Sequence, residues 1–181
     1  MTAKNEPINK VNGNGYDQSP AGPLFTVNTV YVKDISFESP SVPTIFNAEW
    51  QPKVDFDLQM AQTPLKDQNG QEQEGLYEVV IHLTSTVKLA DDTTAFLIEV
   101  QQAGIFVVQG FDSEATKHIL STACPTVLFP YARETVSNLV QRGGFPQLLL
   151  PPINFEAMYA QHLAQQQEQT KKATDLETAK Q

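Results

Sequence analysis

The side chains best suited to acid–base, metal or nucleophilic chemistry in this sequence are His82, His118, His162 and Cys124. Metal sites bring several His, Cys or carboxylate ligands together at short spacings, and none of the three histidines has such neighbours. Cys124 stands directly before a proline and outside any catalytic motif, which favours a small buried apolar side chain. The chain also lacks a phosphate-binding loop, a G-x-S-x-G motif and a dinucleotide-binding fingerprint. We therefore expect no catalytic residue, no metal and no cofactor, and a protein that is not an enzyme.

Acidic side chains recur at alternate positions in segments that resemble strands. Alternation places six acids and only two lysines on one face of a sheet. These residues are Asp34, Glu38, Asp55, Asp57, Glu78 and Glu99, with Lys53 and Lys88. One interpretation is an ordinary solvated sheet face. The other is a docking surface for a basic partner, which such a negative field would attract.

Two apolar segments fall in regions too rich in proline for a strand or a long helix. They are "GGFPQLLLPPINFEAMY", from Gly143 to Tyr159, and "IFNAEW", from Ile45 to Trp50. One interpretation is that they pack on each other and close the core. The other is a hydrophobic groove with walls stiffened by proline and an adaptable methionine, Met158. The residues alone leave both open.

Period-two alternation predicts four strands, at about 25–37, 54–60, 77–89 and 96–108. In the first, strict alternation places Tyr31 on the apolar face and leaves Val30 and Val32 on the polar face. A short turn joins the last two strands into a hairpin, so we expect an antiparallel sheet.

From Asp112 onward the apolar period becomes helical. A short helix starts at Ser113, and a longer one follows Pro125 and ends at 143–144, where two glycines stand together. Asn154 is the expected N-cap of a last amphipathic helix. The predicted fold class is therefore α+β, with a four-stranded antiparallel sheet and helices packed on one face.

Composition indicates one soluble, acidic domain. The 181 residues carry a net charge of −9, which argues against nucleic acid and against direct membrane insertion or anionic membrane as partners. A single cysteine excludes an intrachain disulfide, and neither a secretory signal nor a transmembrane run is present. We expect a cytoplasmic protein with a disordered extension at 1–23, a folded domain at 24–163, and a helix end and flexible tail at 164–181.

Several long stretches together resemble SecB, the bacterial protein-export chaperone. The resemblance covers most of 24–167, and it is carried by "VYVKDISFESPSVPTIF", "EWQP", "FLIEVQQAGIF", "CPTVLFPYARETVSNLVQRGGFPQLLLPPINFEAMY" and "HLAQQQ". It implies a homotetramer, assembled as a dimer of dimers. It also implies an ATP-independent chaperone that holds preproteins unfolded and delivers them to the translocation motor SecA in the bacterial cytoplasm.

The resemblance also implies roles for individual residues. The SecA-binding residues would be Asp34, Glu38, Leu97 and Glu99. The positions involved in oligomer assembly would be Ile98, Val100 and Gln102. The client groove would be lined by Phe46, Trp50, Leu149, Leu150, Phe155, Met158 and Tyr159.

Two rival functions come from other classes. The first is a small-ligand-binding or enzymatic α+β protein whose apolar groove holds a lipid-like molecule. The second is a purely structural oligomer. A bound small molecule or turnover of a substrate would favour the first, and failure to slow the aggregation of any unfolded protein would favour the second.

Overall fold

The computed structural model describes the backbone of residues 22–178 and the side chains of residues 22–170. The N-terminal extension predicted at 1–23 therefore lies almost entirely outside the described residues, as do the last three residues of the predicted tail.

A four-stranded antiparallel sheet, with strand order β1-β4-β3-β2, forms the centre of the fold and confirms the predicted α+β class. The second and third strands are longer than alternation alone predicted, which leaves only a short turn between them at 67–71. In that turn the Asp67 carboxylate accepts hydrogen bonds from the backbone N–H groups of Asn69 and Gln71. The strands are β1 (Leu24–Glu38), β2 (Lys53–Lys66), β3 (Glu72–Lys88) and β4 (Thr94–Gln109).

The two faces of the sheet differ in chemistry, as period-two alternation requires. One face, which we call the helix face, packs against the helices and buries Ile98, Val100 and Phe106 completely. The opposite face, which we call the polar face, carries all eight charged residues that alternation placed together. The cross-strand registers settle this, because each of those residues is aligned with a residue of the same face in the neighbouring strand.

The prediction for the middle of β1 was wrong, because the strand contains two β-bulges. The alignment with β4 shifts at Asn28 and again at Lys33. Each bulge reverses the alternation once, so the four residues between them point opposite to the strict pattern. Val30 and Val32 therefore face the helices, and Tyr31 lies on the polar face.

Three helices follow the sheet, and two of them begin with a side-chain N-cap, of which the sequence predicted the one at Asn154. The Asp112 carboxylate accepts a hydrogen bond from the Ala115 N–H at 2.7 Å, and the Asn154 side chain accepts one from the Ala157 N–H at 3.0 Å. The helices are α1 (Ser113–Ser121), α2 (Ala123–Arg142) and α3 (Phe155–Thr178), and a short 3-10 helix (Thr44–Asn47) lies between β1 and β2.

Two helix boundaries differ from the sequence prediction. Helix α2 begins before Pro125 rather than after it and continues through Pro130, the eighth residue of the helix. Helix α3 extends to Thr178, through most of the segment where we expected a helix end and tail.

Helix α2 covers the two central strands, β3 and β4, at close range. A Cβ atom added to Gly104 of β4 would lie only 2.9 Å from Cδ2 of Leu128 in α2, so glycine is what allows this approach. The outer strands are less well covered, and six of their apolar side chains on the helix face are between 36% and 47% exposed. These are Phe25, Val27, Val32, Ile35, Val54 and Met60.

Candidate functional site

The four residues expected to bind SecA lie together on the polar face, at one end of the sheet. Glu38 is aligned with Leu97, and Glu99 is aligned with Ser36, one strand apart. Asp34 and Glu38 are exposed, whereas Leu97 and Glu99 are half-buried because β4 is a central strand. We call Asp34, Glu38, Leu97 and Glu99 the docking patch.

The negative charge of the docking patch continues across the sheet onto β2. Asp55 is aligned with Thr86, in the same row as Leu97, and Asp57 is aligned with Thr84, in the same row as Glu99. Among the described residues, none of the five acids in these rows and in the patch forms an ion pair. Two lysines, Lys53 and Lys88, lie beside Asp55 on the same face, so the acids outnumber the bases five to two and a basic surface would be attracted to this end of the sheet.

The sixth acid of the polar face, Glu78, is in a different environment. It accepts hydrogen bonds from the Tyr31 hydroxyl and from Lys33 Nζ, the latter at 2.7 Å. The Lys33 hydrogen bond, followed by that of Tyr31, lowers the pKa of the Glu78 carboxyl below its ordinary value. Burial, reinforced by the neighbouring Glu78, raises the pKa of Tyr31 to about 12. Glu78 is therefore a structural ion-pair partner and not a free charge of the patch.

The predicted groove residues separate into several environments, the first of which is an aromatic cluster around Phe145. The Phe145 ring lies 5.2 Å from that of Phe46 and 5.8 Å from that of Trp50. Phe145 is only 5% exposed, whereas Phe46 is 51% and Trp50 36% exposed. The cluster continues inward through Phe96, whose ring lies 5.0 Å from Phe145. The two predicted residues thus form the accessible rim of a buried aromatic cluster that sequence reasoning missed.

Leu149 lies in a second environment, on the loop between α2 and α3. It is 59% exposed and borders a groove of about 390 Å³ that runs along α2, with Phe129 and Pro130 on the other wall. Its exposure fits the predicted contact with an apolar ligand.

Leu150 and Phe155, by contrast, are only 2% exposed and belong to the core. The Phe155 ring packs edge-on against the ring of Phe129, with centroids 5.9 Å apart. Neither residue presents an accessible surface in the single chain, unlike the other residues predicted for the groove lining. They anchor the loop and the start of α3, which burial against α2 makes favourable.

Met158 and Tyr159 are half-buried in a third environment, a groove of about 400 Å³ between β2, α1 and α3. Met60 of the edge strand β2 forms its opposite wall. His118 joins α3 to α1 here, because its Nε2 lies 2.8 Å from a carboxylate oxygen of Glu156 and its ring packs edge-on against Tyr159. The apolar stripe predicted on α3 identified this wall, but Met60 becomes its neighbour only through the tertiary fold.

The residues expected to affect assembly are all buried within this one chain. Ile98 and Val100 are fully buried on the helix face, and Gln102 is 2% exposed. None of them is available for direct contact with another subunit, so any effect on assembly would act through the packing of the sheet against α2.

The side chain best suited to nucleophilic chemistry, Cys124, is not accessible. Cys124 is fully buried, and burial raises the pKa of its thiol to about 12, which keeps it protonated and unreactive. Within residues 22–170, no three His, Cys, Asp or Glu side chains are arranged to hold a metal ion. No helix in the described part of the chain is long and apolar enough to cross a membrane.

The fold and its surfaces define a class of small α+β binding proteins that carry an acidic sheet face and apolar grooves. The model of the family described as "Preprotein translocase subunit SecB" matches residues 18–166. The chain belongs to the SecB family. It is 50% identical over 147 residues to the protein-export protein SecB of Hydrogenovibrio crunogenus, covering 81% of this chain and 93% of that protein. It is 49% identical to the protein-export protein SecB of Pseudomonas syringae pv. tomato, covering 81% of this chain and 85% of that one.

A solved structure with the same fold is the SecB-like chaperone Rv1957 of Mycobacterium tuberculosis, in complex with a ChAD peptide from the Rv1956 HigA1 antitoxin. The TM-score is 0.56 at 18% sequence identity, and the match covers 72% of this chain and 90% of that one. At this identity the likeness concerns the fold.

Proposed function

We propose that this protein is an ATP-independent export chaperone of the bacterial cytoplasm, which holds preproteins unfolded and delivers them to the motor SecA. The observation that carries the proposal is the placement of two different surfaces on one small domain. The apolar grooves lie on the helix side, and the docking patch lies on the polar face. A client and a basic partner can therefore be bound at the same time.

The groove side suits an unfolded chain, which offers apolar side chains in no fixed order. Phe46 and Trp50 are exposed beside Phe145. Leu149 is exposed on the loop between α2 and α3, and Met158 lines a further groove. Burial of apolar area contributes roughly 25 cal/mol per Å² regardless of sequence, so such surfaces bind many clients with little selection. The family membership supports this reading.

The polar face suits docking to SecA. Asp34, Glu38 and Glu99 lie within two adjacent strands without ion-pair partners among the described residues, and Leu97 supplies an apolar contact between them. Exposed charges of one sign steer a complementary partner and set its orientation.

The uncovered apolar residues of the outer strands support assembly into a dimer of dimers. Val32 and Ile35 of β1 are 47% and 42% exposed, and Val54 of β2 is 47% exposed. Exposed apolar side chains on the outer strands of a sheet are typical of subunit contacts.

The proposal is tested by two assays on the same preparation. In the first, a chemically unfolded preprotein is diluted into buffer with and without the protein, and its refolding is followed by its own fluorescence. In the second, binding to SecA is measured by calorimetry. We expect refolding to stop at a slight excess of chaperone without ATP, and SecA to bind in a salt-sensitive manner.

Refolding at an unchanged rate would contradict the chaperone function. A lipid-like molecule recovered from the purified protein, together with unchanged refolding, would favour the small-ligand alternative. Arrested refolding without SecA binding would keep the holding function and exclude delivery through the docking patch.

A further inference from the structure

Strand β1 carries two more residues than the part of β4 with which it pairs. Leu24 is aligned with Gln109 and Glu38 with Leu97, and the bulges at Asn28 and Lys33 absorb the two additional residues. Each bulge shifts the alignment of the later residues of β1 with β4 by one residue. The position of the acidic end of β1 relative to β4 therefore depends on both bulges.

The observed register prevents two carboxylates of the docking patch from facing each other. Asp34 is aligned with Gln101, and Glu99 is aligned with Ser36. If β1 continued from Leu24 without bulges, Asp34 would instead be aligned with Glu99. Side chains directly opposite on antiparallel strands have Cβ atoms about 5 Å apart, where like charges are destabilising. The bulges thus offset Asp34 from Glu99 and set the spacing of the patch.

A single bulge would not produce this arrangement either. With one bulge, Asp34 would be aligned with Val100, whose side chain is fully buried on the helix face. Phe37 would turn onto the polar face at the same time, because a shift of one residue exchanges the two faces of a strand. Only two bulges keep the apolar side chains inside and the acids apart.

The bulge at Lys33 is held from both sides of the sheet. On the helix face, Gln102 Nε2 donates a hydrogen bond of 2.8 Å to the backbone carbonyl of Tyr31. On the polar face, the Tyr31 hydroxyl and Lys33 Nζ both donate to the Glu78 carboxylate, which belongs to β3, two strands away.

We propose that Gln102, Tyr31 and Glu78 are positioning residues for the docking patch. They fix the Lys33 bulge, one of the two bulges that together offset Asp34 from Glu99, and they need not touch the partner to affect its binding. This inference rests on the proposed function, because it concerns the surface that we expect to meet SecA.

Two substitutions test the positioning role without changing the net charge or the patch. Tyr31→Phe removes only the hydroxyl that bonds Glu78. Gln102→Met keeps the side-chain length but removes the donor, and it changes a side chain buried on the helix face, away from the docking patch. The matched controls are Tyr77→Phe, whose hydroxyl has no hydrogen bond among the described residues, and Gln109→Met, whose Nε2 bonds a backbone carbonyl at the far end of the sheet.

We expect both test variants to weaken SecA binding roughly three- to tenfold, the change that one lost hydrogen bond typically makes in an equilibrium. The control variants should stay within about twofold of the unmodified protein on the same basis. Arrest of preprotein refolding should persist in all four, since the grooves are unaltered.

Disulfide formation between cysteines introduced into the full chain reports directly how β1 is aligned with β4. Paired cysteines close a bond only when their Cα atoms are about 4.4–6.8 Å apart, which favours directly opposite positions. Cysteines at 36 and 99 should link in the native register, and cysteines at 35 and 99 should link once the Lys33 bulge is lost, because that loss shifts the alignment by one residue. We expect the second link to increase in the Tyr31→Phe and Gln102→Met backgrounds, while the buried Cys124 stays unreactive.

Unchanged SecA binding in Tyr31→Phe, together with an unchanged pattern of disulfide links, would overturn the positioning role, even if Gln102→Met failed to fold. A wrong positioning role can be distinguished from a wrong proposed function. If Glu99→Lys weakens SecA binding while the positioning variants do not, the docking patch stands and this inference is wrong. If Glu99→Lys itself has no effect, the patch is wrong.

Discussion

The ring centroids of Trp50 and Phe145 lie 5.8 Å apart, so a partly exposed aromatic side chain packs directly against a buried one. This relationship links the groove to the core of the same domain. An exposed aromatic residue at the rim can be altered with little effect on stability, whereas the buried residue cannot.

Replacing Trp50 with alanine should therefore weaken client holding more than it lowers the melting temperature. Since Trp50 is the only tryptophan, its fluorescence should also change when an unfolded chain binds to the unmodified protein. The matched variant is Phe145→Ala, which should cost about 3–5 kcal/mol of stability as a buried aromatic truncation. Refolding assays and thermal melts on both variants check this, and a Trp50→Ala protein that unfolds outright would place Trp50 in the core instead.

Assembly should depend on the uncovered part of the helix face and not on its buried centre. Val32→Asp places a carboxylate at a position that is 47% exposed in the single chain, so the chain should still fold, but assembly across this edge should be lost. Val100→Asp buries an unpaired carboxylate at a fully buried position, which costs several kcal/mol and should abolish the fold.

Native mass spectrometry and circular dichroism distinguish these two outcomes. A Val32→Asp protein with the oligomeric state of the unmodified chain would show that this edge is not a subunit contact. A folded Val100→Asp protein of lower oligomeric state would instead return Val100 to the interface that the family resemblance implied.

Reversing the charge of Glu99 should abolish motor docking but leave client holding intact. Glu99→Lys replaces attraction by repulsion at the centre of the docking patch, and a half-exposed surface change should alter stability by no more than about 0.5 kcal/mol. Docking of the unmodified protein should also weaken as salt rises, because exposed charges are screened over about 8 Å at physiological ionic strength.

The control is Glu74→Lys, an identical substitution of an exposed residue at the opposite end of the sheet. It should leave calorimetric binding to SecA near that of the unmodified protein. Equal loss of binding in both variants would mean that net charge matters and that the patch has no special role.

The ion pair at Glu78 should make stability depend on pH in one direction. Its pKa is lowered in the folded protein, so the folded state favours the charged carboxylate. The resulting stability is present above the ordinary value of 4.5 and is lost as the pH falls through the folded pKa. Glu78→Gln should melt at a lower temperature than the unmodified protein near pH 7, and the gap should narrow in acid. A gap that is constant from pH 7 to pH 3 would contradict the assignment.

The acidic face illustrates what alternation can establish. Asp55, Asp57 and Glu99 were assigned to one face from parity alone, and the structure places them there, because a regular strand has a period of two and nothing else competes with it. The helix cap at Asn154 was equally readable, since capping depends on residues three positions apart in sequence.

The groove shows where such reasoning failed. Leu149 and Leu150 are neighbours in sequence with the same side chain, yet one is 59% exposed and the other 2%. No local pattern separates them, because the loop has no period and its burial is decided by which elements come to lie against it. The central place of Phe145 in the aromatic cluster was missed for the same reason.

The sequence by itself determined the fold class, the strand and helix order, the acidic face and the family, all of which depend on local periodicity, caps and long matching stretches. The tertiary structure alone decided the two bulges of β1, the burial of Gln102 and the offset of Asp34 from Glu99. These features depend on hydrogen bonds between residues 45 to 71 positions apart, such as those that join Tyr31 to Glu78 and to Gln102. Contacts over such separations exist only after the strands have paired, and so the spacing of the charges on this surface cannot be read from the chain before it folds.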